Sequence, residues 1–491
     1  MIKLNNAGLE QIAQKVGIPN YGRENLKSGI VHMSIGGFHR AHQAFYIDKL
    51  LADSPENWMI TAVGLLPSDE QNIATLNTQD CLYTLVQRSA EEDVPRVIGS
   101  IKHAIHAPSD PQEVLKVLAA ESTKIVSLTV TEKGYCYDQT GNLDQTNHHV
   151  SQDLQNLDSP KTVLGYLVAS LQVRKNNDLN PFTIMSCDNL PGNGHLTHKL
   201  VMQFAELVDV ELAKWIDETV KFPNAMVDRI TPATDDSTLE LVKKYQIDDA
   251  WPVACEDYVQ WVLEDDFVND DRPALEQVGV QLVEDVEPYE KMKVRLLNGS
   301  HSALAYISYL IGYRKVDDAM ADQQIADFVR RYMDEDITPS VPDVPGIDLD
   351  EYKDSLIVRF ANPAISDQIQ RLAEDGSTKI PNAILPCIKY QLENGGSIKY
   401  ACLALAAWFS YLRGVDEKLE PIDVNDPMAE RFKTAMQLDS NTSKNILAIS
   451  EVFGTELPAN EEFVNQLDQA LQSISSKGAK VALETYLSDP N

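Results

Sequence analysis

Residues 29–50 constrain the fold more than any other stretch. GIVHMS (29–34) opens on β-branched apolar residues and reads as a buried strand. It runs into Ile35, Gly36, Gly37, Phe38, His39, Arg40, Ala41 and His42, after which Phe45, Ile47 and Leu50 follow a helical pattern. Strand, glycine turn and helix in that order form the setting in which a dinucleotide pyrophosphate rests on backbone N–H groups at a helix N-terminus. Gly36, Gly37 and Phe38 are the candidate cofactor contacts here, and Arg40 is either a phosphate partner or half of a surface ion pair. The turn is not a full GxGxxG, because Ser34 stands at the first glycine position and no third glycine follows. An ordinary tight turn is the alternative reading.

More strands of the buried type follow. Residues 59–63 form a second one, ending at Gly64, and the loop LLPSDE (65–70) then brings in Asp69. A carboxylate there either accepts hydrogen bonds from an adenosine ribose, favouring NAD over NADP, or caps the next helix. Residues 124–131 (KIVSLTVT) open into Glu132, a further candidate cofactor contact, and residues 182–186 open into CDNLPGNG, which contains Asn189. Polar groups at the C-terminal ends of parallel strands are where open α/β sheets bind ligands. Asn189 offers a donor and an acceptor there, and an Asx turn before Pro191 is its structural alternative. Asp228, beside Arg229 between apolar residues, either joins an ion pair or lines a polar pocket.

From about Pro288 strand-like runs become rare and helical periodicity takes over, as in residues 322–333, 365–375 and 399–412, with a proline-rich loop at 338–346. Residues 290–313 (EKMKVRLLNGSHSALAYISYLIGY) carry Lys293, Asn298 and His301 beside a long apolar face. On a regular α-helix Asn298 and His301 lie roughly 60° apart and Lys293 and His301 roughly 80°, but Lys293 and Asn298 roughly 140°. Buried beside leucines, such groups need partners; a capped helix with polar residues at its wet edge is the plainer reading. Arg371 and Lys379 are either hydroxyl-binding cations or solvated surface charges. The expected architecture is α/β, with domains at 1–286 and 287–491.

The bulk numbers remove other classes. With 42 basic and 74 acidic side chains the formal charge is −32, which argues against nucleic acid and anionic membranes as partners. No apolar run is long enough to span a bilayer, and the N-terminus lacks a signal-peptide pattern. The six cysteines form no CxxC pair and read as reduced thiols of a cytoplasmic protein. His195 and His198 have a helical spacing but no accompanying ligand cluster, so no metal site is expected.

Lys293-x4-Asn298-x2-His301, set in KVRLLNGSHS, resembles the signature of the polyol-specific long-chain dehydrogenases, the mannitol 2-dehydrogenase family that includes fructuronate and tagaturonate reductases. GGFHRAHQAFY, VGLLP, QDCLYTLV, TEKGY, SCDNLPGNG, FPNAMVDRITP and NPAISDQIQRLAEDGSTKIP resemble family blocks in family order. The departure is Ser34, where members often carry glycine. The resemblance implies a Rossmann-like N-terminal domain that binds NAD, a mainly α-helical C-terminal domain for substrate and catalysis, and an active site between them. It implies a zinc-independent reaction with Lys293 as general acid/base, Asn189 and Asn298 polarising the reacting oxygen, and His301 orienting substrate. Asp228, Arg371 and Lys379 would hold outer hydroxyls, and Glu290 would relay protons between Lys293 and solvent. A lysine serves near neutral pH only if burial or positive neighbours lower its pKa.

The expected reaction is D-mannitol with NAD⁺ to D-fructose, and D-fructuronate reduction to D-mannonate is the close alternative. Family members are often monomeric, so a monomer or weak oligomer is expected. Two readings from other classes are an NAD-dependent glycoside hydrolase, which would need a Cys/His metal constellation, and a catalytically silent nucleotide- or sugar-binding protein.

Overall fold

The computed structural model describes residues 1–437 and 442–489. The chain divides into two compact units, Met1–Val286 and Glu287–Asn491. At the centre of the first lie five parallel strands, β1 (Ser28–Met33), β2 (Met59–Gly64), β3 (Ile101–His106), β4 (Ile125–Leu128) and β5 (Thr183–Ser186). Their order across the sheet is β3-β2-β1-β4-β5, so the chain reverses direction of travel between β1 and β4. This is a Rossmann-like order, and ligands of such sheets bind outside the C-terminal ends of the strands at that reversal.

Side chains alternate across the sheet and both faces are covered. Ile30, Ile60, Ile125 and Met185 enter one core with helix Gln43–Asp53 and Trp261. Val31, Val63, Val126 and Ile184 enter the other, with helices Val163–Asn176 and Asn193–Val208. A strand buried on both sides has no polar face, which is why β2 and β4 are near-continuous apolar runs, whereas the edge strand β3 (IKHAIH) is only partly buried and carries Lys102, His103 and His106.

The strand expected over 124–131 ends at Leu128. Beyond it the Asp188 carboxylate takes the N–H groups of Val130 and Thr131, and Thr131 turns to φ 59°, which breaks the ladder. Several strands escaped the sequence reading, including β3 (Ile101–His106) of the central sheet. A hairpin of Tyr83–Arg88 and Asp93–Ile98 joins Val253–Glu256, and Ala225–Asp228 pairs with Gln260–Glu264. Pro95 sits in the edge strand of the first set, the position where a sheet tolerates it. The N-terminal lead-in also supplies a two-residue strand, Ile2–Lys3, pairing with Ile247–Asp248.

The second unit is mainly helical. Its centre is helix Lys399–Tyr411, in which every residue from Tyr400 to Tyr411 is buried, and it packs against helices Gly299–Ile311 and Glu461–Lys477. Residues 322–333 begin as expected, with Asp322 capping helix Gln323–Arg331, and then widen into a π turn, Tyr332–Ile337. Residues 365–375 are helical only over Ile369–Ala373, because Ser366 adopts φ 46° and interrupts the run. The stretch 290–313 is not one regular helix either. It comprises α-helix Glu287–Met292, a π turn Lys293–Asn298 and α-helix Gly299–Ile311.

Candidate active site

Beyond β1 the backbone turns sharply. Ser34 donates its N–H to Val63 O at 2.8 Å and has φ 112°, a region that favours glycine. Gly36 is exposed, and a Cβ added there would meet nothing within 4 Å. The open approach suits a bulky anion lying over the turn, so the residues here fit a dinucleotide. Phe38 is half-buried and stacks on His42 at 4.9 Å between ring centroids. Below the turn, His32 bonds the hydroxyls of Ser127 and Thr129, each at 2.8 Å, and stacks on His39 at 3.5 Å. Burial pushes the His32 pKa down to about 3 and lowers that of His39 as well, so both rings are neutral supports at physiological pH.

Arg40 is neither a phosphate contact nor a surface ion pair. It is 1% exposed, donates to Trp251 O at 2.6 Å, and lies over the Trp251 ring at 3.7 Å. Burial lowers its pKa to about 10. A buried guanidinium against an indole is a packing element that anchors the short helix Gly37–Ala41 from beneath.

At the end of β2, Asp69 accepts the Leu66 N–H at 2.9 Å through one oxygen. Gly64 lets this loop fold close, since a Cβ there would lie 2.8 Å from the Asp69 Cβ. The capping role and a free second oxygen coexist, as no other bond to the Asp69 carboxylate occurs among the described residues. Glu132 is exposed in the short turn Thr131–Gly134 that follows β4.

A polar knot that sequence reasoning missed connects the ends of β4 and β5. Asp188 is 6% exposed and accepts from Val130 N at 3.0 Å, Thr131 N at 2.8 Å and Tyr135 Oη at 2.7 Å. Burial, the dominant influence, raises its pKa, and the hydrogen bonds oppose this. Tyr135 also meets Ser186 Oγ at 2.6 Å. The buried Asn193 side chain donates to Asp188 O and Ala225 O and accepts from Ala225 N. The exposed Asn189 follows directly on this clamp. The signal in the sequence is the acid–amide pair inside SCDNLPGN, in which Asp188 directly precedes the candidate ligand Asn189.

Asp228 ends strand Ala225–Asp228 and is 4% exposed. Its neighbour Arg229 is spent on backbone carbonyls, reaching Ala41 O at 2.6 Å and Glu256 O at 3.0 Å.

In the second unit Lys293 is 7% exposed and begins the π turn that ends at Asn298. The Gly299 N–H reaches Val294 O, five residues back. Such a turn holds more residues than an α-helical one, which brings residues five apart closer in angle, so the roughly 140° separation expected on a regular α-helix does not apply to Lys293 and Asn298. The Asn298 side chain is half-buried and bonds no described residue. His301 lies in the first turn of the following helix, with its ring 4.5 Å from that of Phe360. Glu290, three residues before Lys293, is half-buried. Two further helices pack on this segment. On one, Arg371 is held by Asp367 through Nε at 2.8 Å and by a second close contact from Nη2, so it is a paired cation and not a freely solvated one. On the other, Lys379 points its Nζ to Leu372 O at 3.4 Å.

His198 is engaged by Asp217 at 2.9 Å, while Asn224 lies 3.3 Å from His195. Among the described residues no group of three or more His, Cys, Asp or Glu is arranged to hold a metal ion, and no helix is long and apolar enough to cross a membrane. The six cysteines form no disulfide.

A parallel 3-2-1-4-5 sheet with an open glycine turn, in a chain that also carries a Lys–Asn–His helical segment, defines a dehydrogenase of the dinucleotide-binding class. Comparison with known proteins specifies it further. Residues 28–277 match the mannitol dehydrogenase Rossmann domain and residues 285–475 the mannitol dehydrogenase C-terminal domain. The mannitol 2-dehydrogenase of Aspergillus fumigatus is 43% identical over 99% of both chains. The structure of Pseudomonas fluorescens mannitol 2-dehydrogenase in a ternary complex with NAD and D-mannitol superposes with TM-score 0.90 at 44% identity, covering 99% of this chain and all of that one. That of a D-sorbitol dehydrogenase gives 0.91 at 36% identity, covering 98% of this chain and all of that one. The chain belongs to the mannitol dehydrogenase family.

Proposed function

We propose that this chain interconverts D-mannitol and D-fructose with NAD, through a lysine acid/base and without a metal ion. The class is an NAD-dependent polyol dehydrogenase of the mannitol dehydrogenase family. The substrate follows the names of its relatives, and the fructuronate alternative has no support among those described above. What carries the mechanistic reading is the π turn, which begins at a buried lysine and ends at an asparagine whose side-chain amide bonds no described residue.

When bound, NAD supplies the hydride acceptor and donor. Lys293, which is 7% exposed, takes the proton of the reacting hydroxyl, or returns it in the reverse direction. Asn298 and Asn189 donate side-chain N–H groups to the reacting oxygen and stabilise its alkoxide character, a task a metal ion performs elsewhere. His301 orients the substrate, and Glu290, one turn ahead of Lys293, passes the proton to solvent. Asp228, Arg371 and Lys379 bind outer hydroxyls, Arg371 in the orientation that Asp367 imposes. Gly36, Gly37 and Phe38 contact the cofactor, with Asp69 on the adenosine ribose and Glu132 beyond β4. The 1–286 unit is then the cofactor domain and the 287–491 unit the substrate and catalytic domain.

The test is NADH oxidation with D-fructose and D-fructuronate side by side, with and without EDTA. Faster turnover with D-fructose, unchanged by EDTA, is expected. Preference for D-fructuronate would overturn the substrate, and loss of activity to EDTA would overturn the lysine mechanism.

A further inference from the structure

We infer that the Ser34 hydroxyl is a ligand for the phosphates of the dinucleotide, and that this contact is why a strained serine stands at the end of β1. The inference rests on the NAD reading above. At φ 112° Ser34 occupies backbone space in which a side chain is disfavoured and glycine is not. Its N–H is tied to Val63 O, so the strain cannot relax by a simple rotation of the peptide. Strain of this kind persists where surrounding structure over-determines it and where it serves a site.

Among the described residues nothing uses the hydroxyl. Ser34 is half-exposed, and its side chain bonds no described residue. A serine that merely filled space at this point would bring strain with no compensating contact. The location supplies the missing partner. Ser34 follows the last residue of β1, at the point where the strand order reverses, and is two residues from Gly36, above which there is open space. The first strand-to-helix turn of such a sheet receives the pyrophosphate. A hydroxyl there donates to an anionic phosphate oxygen, a charge-assisted bond stronger than a neutral one. The strain is then a property of the protein without cofactor, offset when NAD binds.

The experiment is a fluorescence titration of the full-length parent, Ser34→Ala and Ser34→Gly with NADH, with ADP and adenosine as competitors, beside a thermal melt of each protein without cofactor. Ser34→Ala keeps the backbone strain and removes the hydroxyl, whereas Ser34→Gly removes both. Both variants are expected to bind NADH and ADP about tenfold more weakly, since a hydrogen bond to a charged group is lost. Adenosine binding should be unchanged, and Ser34→Gly should melt at or above the parent temperature, which rules out misfolding as the cause of its weaker binding. Either variant binding NADH within about twofold of the parent, on the same scale, would overturn the inference. So would adenosine binding weakened as much as that of ADP. A parent that bound no NADH would instead overturn the cofactor reading itself.

Discussion

Replacing Asp188 with asparagine tests how the loops beyond β4 and β5 are held. One carboxylate oxygen accepts both Val130 N–H and Tyr135 O–H, and the other accepts Thr131 N–H. An asparagine has one acceptor oxygen. Turned one way it keeps two of these bonds and sets its NH₂ against the Thr131 N–H; turned the other way it keeps one. At least one charge-assisted bond is lost, at about 1.5–3 kcal/mol. Removing a buried charge offsets part of this, because burial disfavours the carboxylate in the folded protein. The expected net loss is ~1–2 kcal/mol, a fall in melting temperature of roughly 2–8 °C. The larger effect should be on turnover. Asn189 follows Asp188 directly, and a loop no longer clamped presents it poorly, so kcat with D-mannitol should fall about tenfold. Tyr135→Phe removes one bond, leaves both backbone contacts, and should cost less on both counts. Steady-state kinetics and thermal melts of the two variants suffice. An Asp188→Asn enzyme with unchanged kcat would refute the positioning argument.

Two other perturbations follow from the helical unit. Asp336 caps helix Lys399–Tyr411 through Ala401 N at 2.7 Å, and burial raises its pKa to about 6. A carboxyl raised in the folded state contributes most below its unfolded pKa, and this is lost as pH rises through about 6. Between about pH 5 and about pH 7.5 the parent should therefore lose about 1.4 kcal/mol that Asp336→Asn does not lose, read from urea unfolding at both pH values. Equal slopes for the two proteins would contradict this. At the π turn, a Cβ on Gly299 would lie 2.9 Å from the Tyr332 hydroxyl, which is buried and bonds no described residue. Gly299→Ala should be destabilising in the parent, but more favourable by at least ~1 kcal/mol in a Tyr332→Phe background, where the oxygen is gone and helix propensity is gained. Additive effects of the two substitutions in denaturant melts would show that the hydroxyl is not the obstacle.

Four of the five central strands were legible because strands buried on both faces are apolar, as in residues 29–34, 59–63 and 182–186; the edge strand Ile101–His106 was missed, because IKHAIH is buried at only part of its length and carries Lys102, His103 and His106. The strands of the smaller sheets were not legible. Tyr83–Arg88 forms a local hairpin with Asp93–Ile98, but its other partner, Val253–Glu256, and the partner of residues 225–228 lie far away in sequence, and nothing local announces those two. Residues 365–375 have helical periodicity, but periodicity does not report the positive φ at Ser366. Arg40 was misjudged because a cation after a glycine turn usually faces solvent or phosphate; only the fold brings Trp251 beneath it. The angles of Lys293, Asn298 and His301 were drawn for an α-helix, whereas Lys293–Asn298 is a π turn. The residue types do not signal the wider turn that narrows the angle between the first two. Ser34 was noticed as a missing glycine, whereas its strain became visible only in the backbone.

The lysine mechanism can be tested most directly by measuring NAD⁺ reduction with D-mannitol by Lys293→Ala alongside the parent, with NADH affinity titrated on the same samples. Turnover is expected to fall by orders of magnitude while NADH binding stays near that of the parent, because the lysine handles the substrate proton and does not hold the cofactor. Turnover comparable to the parent would contradict the account, since no other group in the π turn is assigned that proton.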